Sequence, residues 1–326
     1  MTSTAIPSIS VVIATRGRPG NLLELVPIVL ADETVRHLVV VVDGEDPESI
    51  AVLSSLQSHD DRLIFEQVAP SGQLHALAVG ATLTDAEVVL LLDDDVFPTP
   101  GMIAGHARGH LDEQGLVLVG TMPVQLPPNN ADIGSLLYAR DYLNHLARIA
   151  TGEHEVLEWL WLGNVSIRRA DCLCVGLHSE RFTASYHNDR DLGYRLAEAG
   201  LKGRYDPSLI AAHRHRRNKR AFLRDARHRG AGLVQLHAVH RHMGLFDPAV
   251  FTEGLPAPVA TAVRRIGSTG AAPFVARGLL EVGSGLGALG WKTGRNNLAK
   301  LSRRLMFLWG ATAGEGPVQP AAPHVM

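Results

Sequence analysis

The residues that first point to chemistry are three consecutive carboxylates, Asp93, Asp94 and Asp95, which end an apolar run over residues 88–92. That run predicts a short strand buried on both faces. Open α/β sheets bind their ligands at the carboxyl ends of such strands. Adjacent carboxylates repel one another, so a site that holds them close needs a cation, and Mg²⁺ or Mn²⁺ with a polyphosphate is the simplest. A solvated acidic turn is the alternative.

A second acidic pair, Asp189 and Asp191, opens a predicted helix over residues 187–199. A helix dipole favours one carboxylate as a cap, and two are more than capping needs. His213 ends the last predicted strand, and the basic segment 213–230 follows it. Its density of Arg favours an anion such as phosphate, although a solvated basic face is the alternative. The histidines at 228, 237, 240 and 242 lack nearby acids or thiols, so we interpret them as surface or packing residues.

Aromatic and polar side chains alternate in residues 158–169, with Trp159, Trp161, Gly163 and Asn164 followed by two arginines. Apolar stacking surface, amide hydrogen bonding and positive charge in one short segment favour contact with a sugar or an acceptor. A half-buried strand with exposed Arg is the alternative.

The elements that position these residues follow from periodicity. Predicted strands at residues 9–14, 37–42, 62–66 and 87–92 alternate with helical patterns, which predicts a doubly wound α/β unit with parallel strands. No G-x-G-x-x-G follows the first run, which argues against an ordinary dinucleotide-binding domain. A helix at 99–112, a strand at 115–119, a break at 123–130, a helix at 133–149 and a strand at 209–212 come next.

Composition places the chain among soluble globular proteins, with 326 residues, 46% apolar, 20% charged and a net charge of −2. This charge predicts neither nucleic acid nor acidic partners. Cys172 and Cys174 predict free thiols in a reducing compartment. Without a signal-peptide pattern or a run of ~20 apolar residues, we expect a cytoplasmic protein. Gly-rich helices and a basic amphipathic segment after about residue 244 suit either a membrane interface or packing on the main domain. Disorder is expected from Ala311.

Several segments occur in the order typical of one family. Residues 9–19, 40–44, 92–98, 163–169 and 188–196, followed by His213, are similar to the motifs of glycosyltransferase family 2, the inverting nucleotide-sugar enzymes with a GT-A fold. The resemblance covers residues 8–232. It implies a GT-A (Rossmann-like), mostly parallel α/β sheet flanked by helices over residues 1–232, with a nucleotide-binding half to about 98 and an acceptor half after it. We expect residues 233–326 to form a helical C-terminal extension with a disordered tail.

The resemblance also implies roles for individual residues. Asp189 is the base, and Asn188 stands where the family has Glu. Asp93, Asp95 and His213 bind a divalent metal, Mn²⁺ or Mg²⁺. The nucleotide and donor contacts are Thr15, Arg16, Arg18, Asp43, Asp93, Asp94, Arg216 and Arg217. The residues on the acceptor or sugar side are Trp159, Trp161, Gly163, Asn164 and Asp191.

The implied reaction transfers a sugar from a nucleoside-diphosphate sugar to an acceptor hydroxyl, with inversion in a single displacement. The acceptor is unknown: a glycan, a lipid carrier or a small-molecule natural product. No nucleic acid is expected, and the C-terminal helices are candidates for peripheral membrane contact at the inner face. The alternatives are a sugar nucleotidyltransferase and a non-catalytic nucleotide-binding protein with this fold.

Overall fold

A curved eight-stranded sheet runs through the first two-thirds of the chain, in the spatial order β3-β2-β1-β4-β7-β6-β8-β5. The computed structural model describes residues 5–126 and 132–313. The strands are β1 Ile9–Thr15, β2 Val35–Asp43, β3 Leu63–Val68, β4 Val88–Asp93, β5 Val96–Pro98, β6 Leu116–Thr121, β7 Asn164–Arg168 and β8 Lys202–His213.

The described helices lie on both faces of the sheet and in a C-terminal group. They are α1 Pro19–Leu30, α2 Pro47–Gln57, α3 Gln73–Thr82, α4 Met102–Gly109, α5 Ile133–Ala150, α6 Arg169–Val175, α7 Asn188–Glu198, α8 Lys219–Val239, α9 Ala257–Gly267, α10 Ala272–Ala288 and α11 Lys292–Ala313. Two short 3₁₀ helices, Arg241–Met243 and Pro248–Thr252, connect α8 to α9.

The parallel half of the sheet matches the predicted pattern. Strands β1 to β4 are parallel to one another, and β1 lies between β2 and β4. Side chains alternate across a strand: Val11 and Ile13 pack in the cluster that contains Leu22 of α1, whereas Val12 packs in the cluster that contains Leu77 of α3. Burial on both faces explains the continuous apolar runs of the sequence. The predicted mostly parallel α/β sheet with helices on its faces is confirmed.

Strand β7 corrects the interpretation of residues 158–169. Asn164 to Arg168 lie in the middle of the sheet, antiparallel to both β4 and β6. The strand was missed because its polar side chains are paired inside the core: Ser166 is fully buried between His106 and His110, each 2.8 Å from its hydroxyl oxygen. The half-buried strand considered as the alternative is therefore closer to the structure than a loop that faces a sugar.

The C-terminal helices pack on α8, which runs across residue 232. Their shared core consists of Ala226, Val263, Ala276, Leu305, Met306 and Leu308. Helices α8 and α11 approach so closely that a Cβ atom on Gly310 would lie 1.9 Å from the carbonyl oxygen of Arg227. The apolar side of the basic amphipathic segment is thus largely buried against its neighbours.

Two expectations fall partly outside the described residues. The break at 123–130 overlaps residues 127–131, and the expected disordered tail overlaps residues 314–326, while Ala311–Ala313 belong to α11. Among the helices that the structure does describe, none has the length and apolar character needed to cross a membrane.

Candidate active site

A cavity of about 570 Å³ opens where β1, β2 and β4 end. This is the edge at which the sequence predicted a ligand. Five aspartates line the cavity, Asp43, Asp93, Asp94, Asp95 and Asp191, against two arginines, Arg16 and Arg18. Because the lining carries more negative than positive charge, a polyphosphate would need a cation in order to bind there.

Asp94 fixes the first loop. Its carboxylate accepts hydrogen bonds from Thr15 Oγ1 at 2.7 Å and Arg18 Nη1 at 2.5 Å, and its carbonyl oxygen accepts one from Asn21 Nδ2 at 3.0 Å. Burial raises the pKa of Asp94 to about 6, although Arg18 opposes the shift. Both carboxylate oxygens are used within the protein, so Asp94, Thr15 and Arg18 mainly hold the loop in place at the cavity wall, and their direct contact with a donor stays a prediction.

Asp95 lies against two histidines. His213 Nε2 is 3.2 Å from Asp95 Oδ1, and His215 Nδ1 is 3.2 Å from Asp95 Oδ2. Although burial opposes it, hydrogen bonding to His213 and His215 holds the pKa of Asp95 well below its usual range. One ligand atom from each of these three side chains lies within 4.8 Å of the others. In the described part of the chain, His213 Nδ1 and His215 Nε2 are buried without a hydrogen-bond partner.

This group fits a divalent metal. A carboxylate suits Mn²⁺ and Mg²⁺, and imidazole suits transition metals, so the mixed set favours Mn²⁺ over Mg²⁺. His215 was missed by the sequence analysis. The signal was His-x-His at the end of β8, since alternate residues of an extended chain point to the same side. Pairing of Val96 in β5 with His213 brings the histidines next to Asp95.

Asp93 is not part of this group of ligand atoms. Its Oδ1 accepts a hydrogen bond of 2.6 Å from Gln73 Nε2, and its amide donates to the carbonyl of Gly163 at 3.2 Å. Burial and then the neighbouring Asp95 raise the pKa of Asp93 to about 7. The assignment of Asp93 as a metal ligand or donor contact stays a prediction.

The loop after β2 is organised by Asp43. Its carboxylate accepts the amide hydrogens of Ser71 at 2.7 Å and Gly72 at 3.1 Å, which fixes the turn before α3. Arg16 lies beside Gly44 in the cavity wall, and an added Cβ on Gly44 would lie 3.5 Å from its Cζ atom. Asp43 and Arg16 therefore both lie in the cavity wall, and their contact with a nucleotide stays a prediction.

The carboxylates at the start of α7 have different surroundings. Burial raises the pKa of Asp189 to about 6. Its Oδ1 accepts the amide hydrogen of Arg190 at 2.9 Å, and the preceding residue, Asn188, lines the cavity. Asp191 also lines the cavity but is 1% exposed, with Oδ2 3.0 Å from Arg195 Nε and Oδ1 2.9 Å from His240 Nε2. Asp189, with fewer side-chain partners, is the better candidate base.

Most of the predicted acceptor-side residues do not line the cavity. Asn164 is 1% exposed and donates from Nδ2 to the carbonyls of Thr121 and Leu209, so its amide fixes the sheet, and the acceptor-side role implied for it stays a prediction. Trp159 stacks on His154 with ring centroids 3.8 Å apart. Trp161 packs edge-on against Tyr138, which does line the cavity.

The predicted basic phosphate contacts are also outside the cavity lining. Arg216 is exposed, and Arg217 is paired with Asp225 at 3.0 Å while its guanidinium lies 4.7 Å from the Tyr138 ring centroid. Further along α8, Arg227 lies over Trp309 of α11. This part of the basic segment therefore helps attach the C-terminal helices to the main domain, because cations stack favourably on aromatic faces.

The fold and site define an α/β protein with a charged cavity at the carboxyl ends of its parallel strands. Residues 7–232 match the family model described as "Glycosyltransferase like family 2". The chain belongs to this family, which confirms the resemblance found in the sequence and makes the protein a member of a glycosyltransferase family.

Relatives with curated names are also glycosyltransferases. The chain is 25% identical over 248 residues to the pre-mycofactocin glycosyltransferase of Mycobacterium tuberculosis, covering 76% of this chain and 50% of that protein. It is 24% identical over 223 residues to the uncharacterized glycosyltransferase YfnE of Bacillus subtilis, covering 54% of this chain and 56% of that protein. The chain thus spans about half the length of the curated relatives it matches.

Solved structures share the fold. The mannosyltransferase PcManGT from Pyrobaculum calidifontis, in complex with GDP-Man and Mn²⁺, superposes with a TM-score of 0.59 at 16% identity, covering 94% of this chain and 86% of that chain. GalNAc-T7 with UDP, GalNAc and Mn²⁺ superposes with a TM-score of 0.52 at 14% identity, covering 65% of this chain and 44% of that chain. Because both sequence identities are this low, the structural similarity shows a shared fold and nothing beyond it.

Proposed function

We propose that the protein transfers a sugar from a nucleoside-diphosphate sugar to an acceptor hydroxyl, with inversion and with a divalent metal. The observation that carries the proposal is the group formed by Asp95, His213 and His215 at a cavity whose acidic lining requires a cation. Family membership supports the reaction class. The nucleotide sugars and Mn²⁺ named with the two solved structures support the donor class and the metal.

The residues of the candidate site have separate roles in this proposal. Asp95, His213 and His215 would hold the metal, which when bound supplies charge compensation for the diphosphate. Asp43 and Arg16 face the nucleotide part of the donor. Asp189 takes the proton of the acceptor hydroxyl. The acceptor oxygen then forms a bond to C1 of the sugar as the C1–O bond to the diphosphate breaks, and the electron pair leaves with the nucleoside diphosphate. Attack opposite the leaving group inverts C1.

Product analysis tests this proposal. The full chain is incubated with nucleotide sugars, Mn²⁺ and hydroxyl acceptors of the three expected classes, and the nucleoside diphosphate and the anomeric configuration of the product are measured. We expect nucleoside-diphosphate release that needs the metal, and an inverted product where an acceptor is used. Asp95→Ala should abolish this turnover while keeping the folded circular-dichroism spectrum. Turnover independent of metal, or pyrophosphate release from a nucleoside triphosphate and a sugar phosphate, would contradict the proposal.

We also propose that α10 contacts an anionic membrane surface. Phe274, Val282 and Leu289 recur at helical spacing and are 78%, 59% and 85% exposed, and Trp291, which follows the end of α10, is 59% exposed. The C-terminal extension that carries them, residues 233–326, has more Lys and Arg than Asp and Glu. Exposed apolar side chains together with an excess of positive charge suit a surface of anionic lipids. The protein should sediment with phosphatidylglycerol vesicles but not with phosphatidylcholine vesicles, and Phe274→Ser with Trp291→Ser should abolish this. If the double variant sediments with phosphatidylglycerol vesicles as much as the wild type does, the proposed membrane contact is contradicted.

A further inference from the structure

A second cluster of metal-ligating side chains lies away from Asp95. It consists of Glu198 at the end of α7, His240 just after α8 and His242 in the following 3₁₀ turn, and one ligand atom from each lies within 4.8 Å of the others. From the sequence alone these histidines are interpreted as surface or packing residues, because no acid lies near them in the chain. The fold supplies two acids, since α7 places both Glu198 and Asp191 against His240.

The tautomer of His240 follows from its hydrogen bond. His240 is 5% exposed, and its Nε2 lies 2.9 Å from Asp191 Oδ1. An ionised carboxylate only accepts, so Nε2 carries the hydrogen and the lone pair of a neutral ring is on Nδ1. That Nδ1 faces Glu198, with Oε1 3.8 Å away. Metal-binding histidines commonly donate their other ring nitrogen to a carboxylate in this way.

The remaining contacts hold the cluster in shape. The Tyr194 ring packs against both imidazoles, with centroids 4.7 Å from His240 and 5.0 Å from His242, and the two imidazole centroids are 5.9 Å apart. Asp191 is fixed from its other side by Arg195 Nε at 3.0 Å. Glu198 and His242 are exposed, which leaves an open path for an ion and room for water ligands.

We propose that Glu198, His240 and His242 form a site for one transition-metal ion of the Zn²⁺ class. Two imidazoles and one carboxylate, with water in the open position, are a donor set that suits this metal. The ion would join the end of α7 to the end of α8. Through His240 it would also hold Asp191, whose carboxylate lines the candidate active site. This site is independent of the metal proposed at Asp95.

Metal titration of the full chain tests the proposal. The metal-free His215→Ala variant, which disables the Asp95 group, is titrated with Zn²⁺ by calorimetry and with Co²⁺ by visible absorption. We expect one bound ion and the intense absorption of a four-coordinate Co²⁺ site. Adding His242→Ala or Glu198→Gln should weaken binding by at least about tenfold, and Asp191→Asn should weaken it because the orienting carboxylate is lost.

His237→Ala is the matched control, because His237 lies three residues before His240 on α8 but bonds to the carbonyl of Gly244 at 3.1 Å. It should bind Zn²⁺ as tightly as the parent variant. Circular dichroism and thermal unfolding of each metal-free variant verify that it is folded. Absence of a bound ion in the parent, or Zn²⁺ affinity unchanged by both His242→Ala and Glu198→Gln, would overturn the proposal.

Discussion

The proton acceptor is the residue on which the proposed chemistry depends most. Asp189→Asn keeps the shape of the side chain but removes its basicity, so transfer should fall by about 10² to 10⁴-fold. Binding of nucleoside diphosphate with Mn²⁺ should stay within twofold or so of wild type, because Asp189 is not part of the Asp95, His213 and His215 group that is proposed to hold the metal. Rates are measured by nucleoside-diphosphate release and binding by calorimetry. Wild-type transfer by Asp189→Asn would show that another group is the base.

The pH dependence of transfer provides a separate test of Asp189. Burial raises its pKa to about 6, and a base acts only when it is ionised. The rate should therefore rise with pH up to about 6 and level off above it. Because burial also raises the pKa of Asp93 to about 7, the profile is measured at several Mn²⁺ concentrations. The rise in transfer rate that reflects ionisation of Asp189 should occur at the same pH at every Mn²⁺ concentration. A transfer rate that does not change across about pH 5 to 8 would contradict the assignment of Asp189 as the base.

At the scale of elements, the entry into β7 sets the position of Asp93. Gly163 has φ +117°, and a Cβ atom there would lie 2.7 Å from Asp93 Oδ2 and 2.8 Å from Met122 Sδ. Gly163→Ala should lower the free energy of unfolding by roughly 1–3 kcal/mol through backbone strain. It should also weaken donor binding by displacing Asp93.

The control variant Gly152→Ala separates backbone strain from displacement of Asp93. Gly152 has φ +73°, with open space where its Cβ would be. The control should thus show the strain in urea unfolding but retain donor affinity. Equal donor affinity in both variants would mean that Gly163 has no role in positioning Asp93.

The same elements show what the sequence could predict. Strands β1 to β4 and the acidic end of β4 were predictable, because strands buried on both faces are continuously apolar. Strand β7 was not, since Asn164 and Ser166 satisfy their polar groups with His106 inside the core. The position of His215 beside Asp95 depends on the pairing of β5 with β8, two segments more than a hundred residues apart. Such long-range pairing leaves little local signal.

For the whole molecule, the packing of α8 against α11 predicts that the C-terminal helices do not form a dispensable domain. A chain that ends at residue 232 loses Leu305, Met306 and Leu308 from the shared core and exposes Phe222 and Ala226. It should aggregate or unfold at a lower temperature than wild type, because that apolar surface returns to water. A chain that ends at residue 313 keeps every described helix and should have the same melting temperature as the full-length protein. If the chain that ends at residue 232 also has the wild-type melting temperature, the division into two domains at residue 232 is supported instead.

The central claim is that Asp95, His213 and His215 bind the metal that holds a nucleoside diphosphate. Thermal unfolding of wild type and His215→Ala with a panel of nucleoside diphosphates, with and without Mn²⁺, tests it most directly, with the exposed His59→Ala as control. A ligand at 100 times its dissociation constant stabilises by about 2.7 kcal/mol. We predict stabilisation of wild type and His59→Ala by at least one nucleotide only when Mn²⁺ is present, and its loss in His215→Ala. Stabilisation that is independent of Mn²⁺, or equal in His215→Ala, would contradict the account.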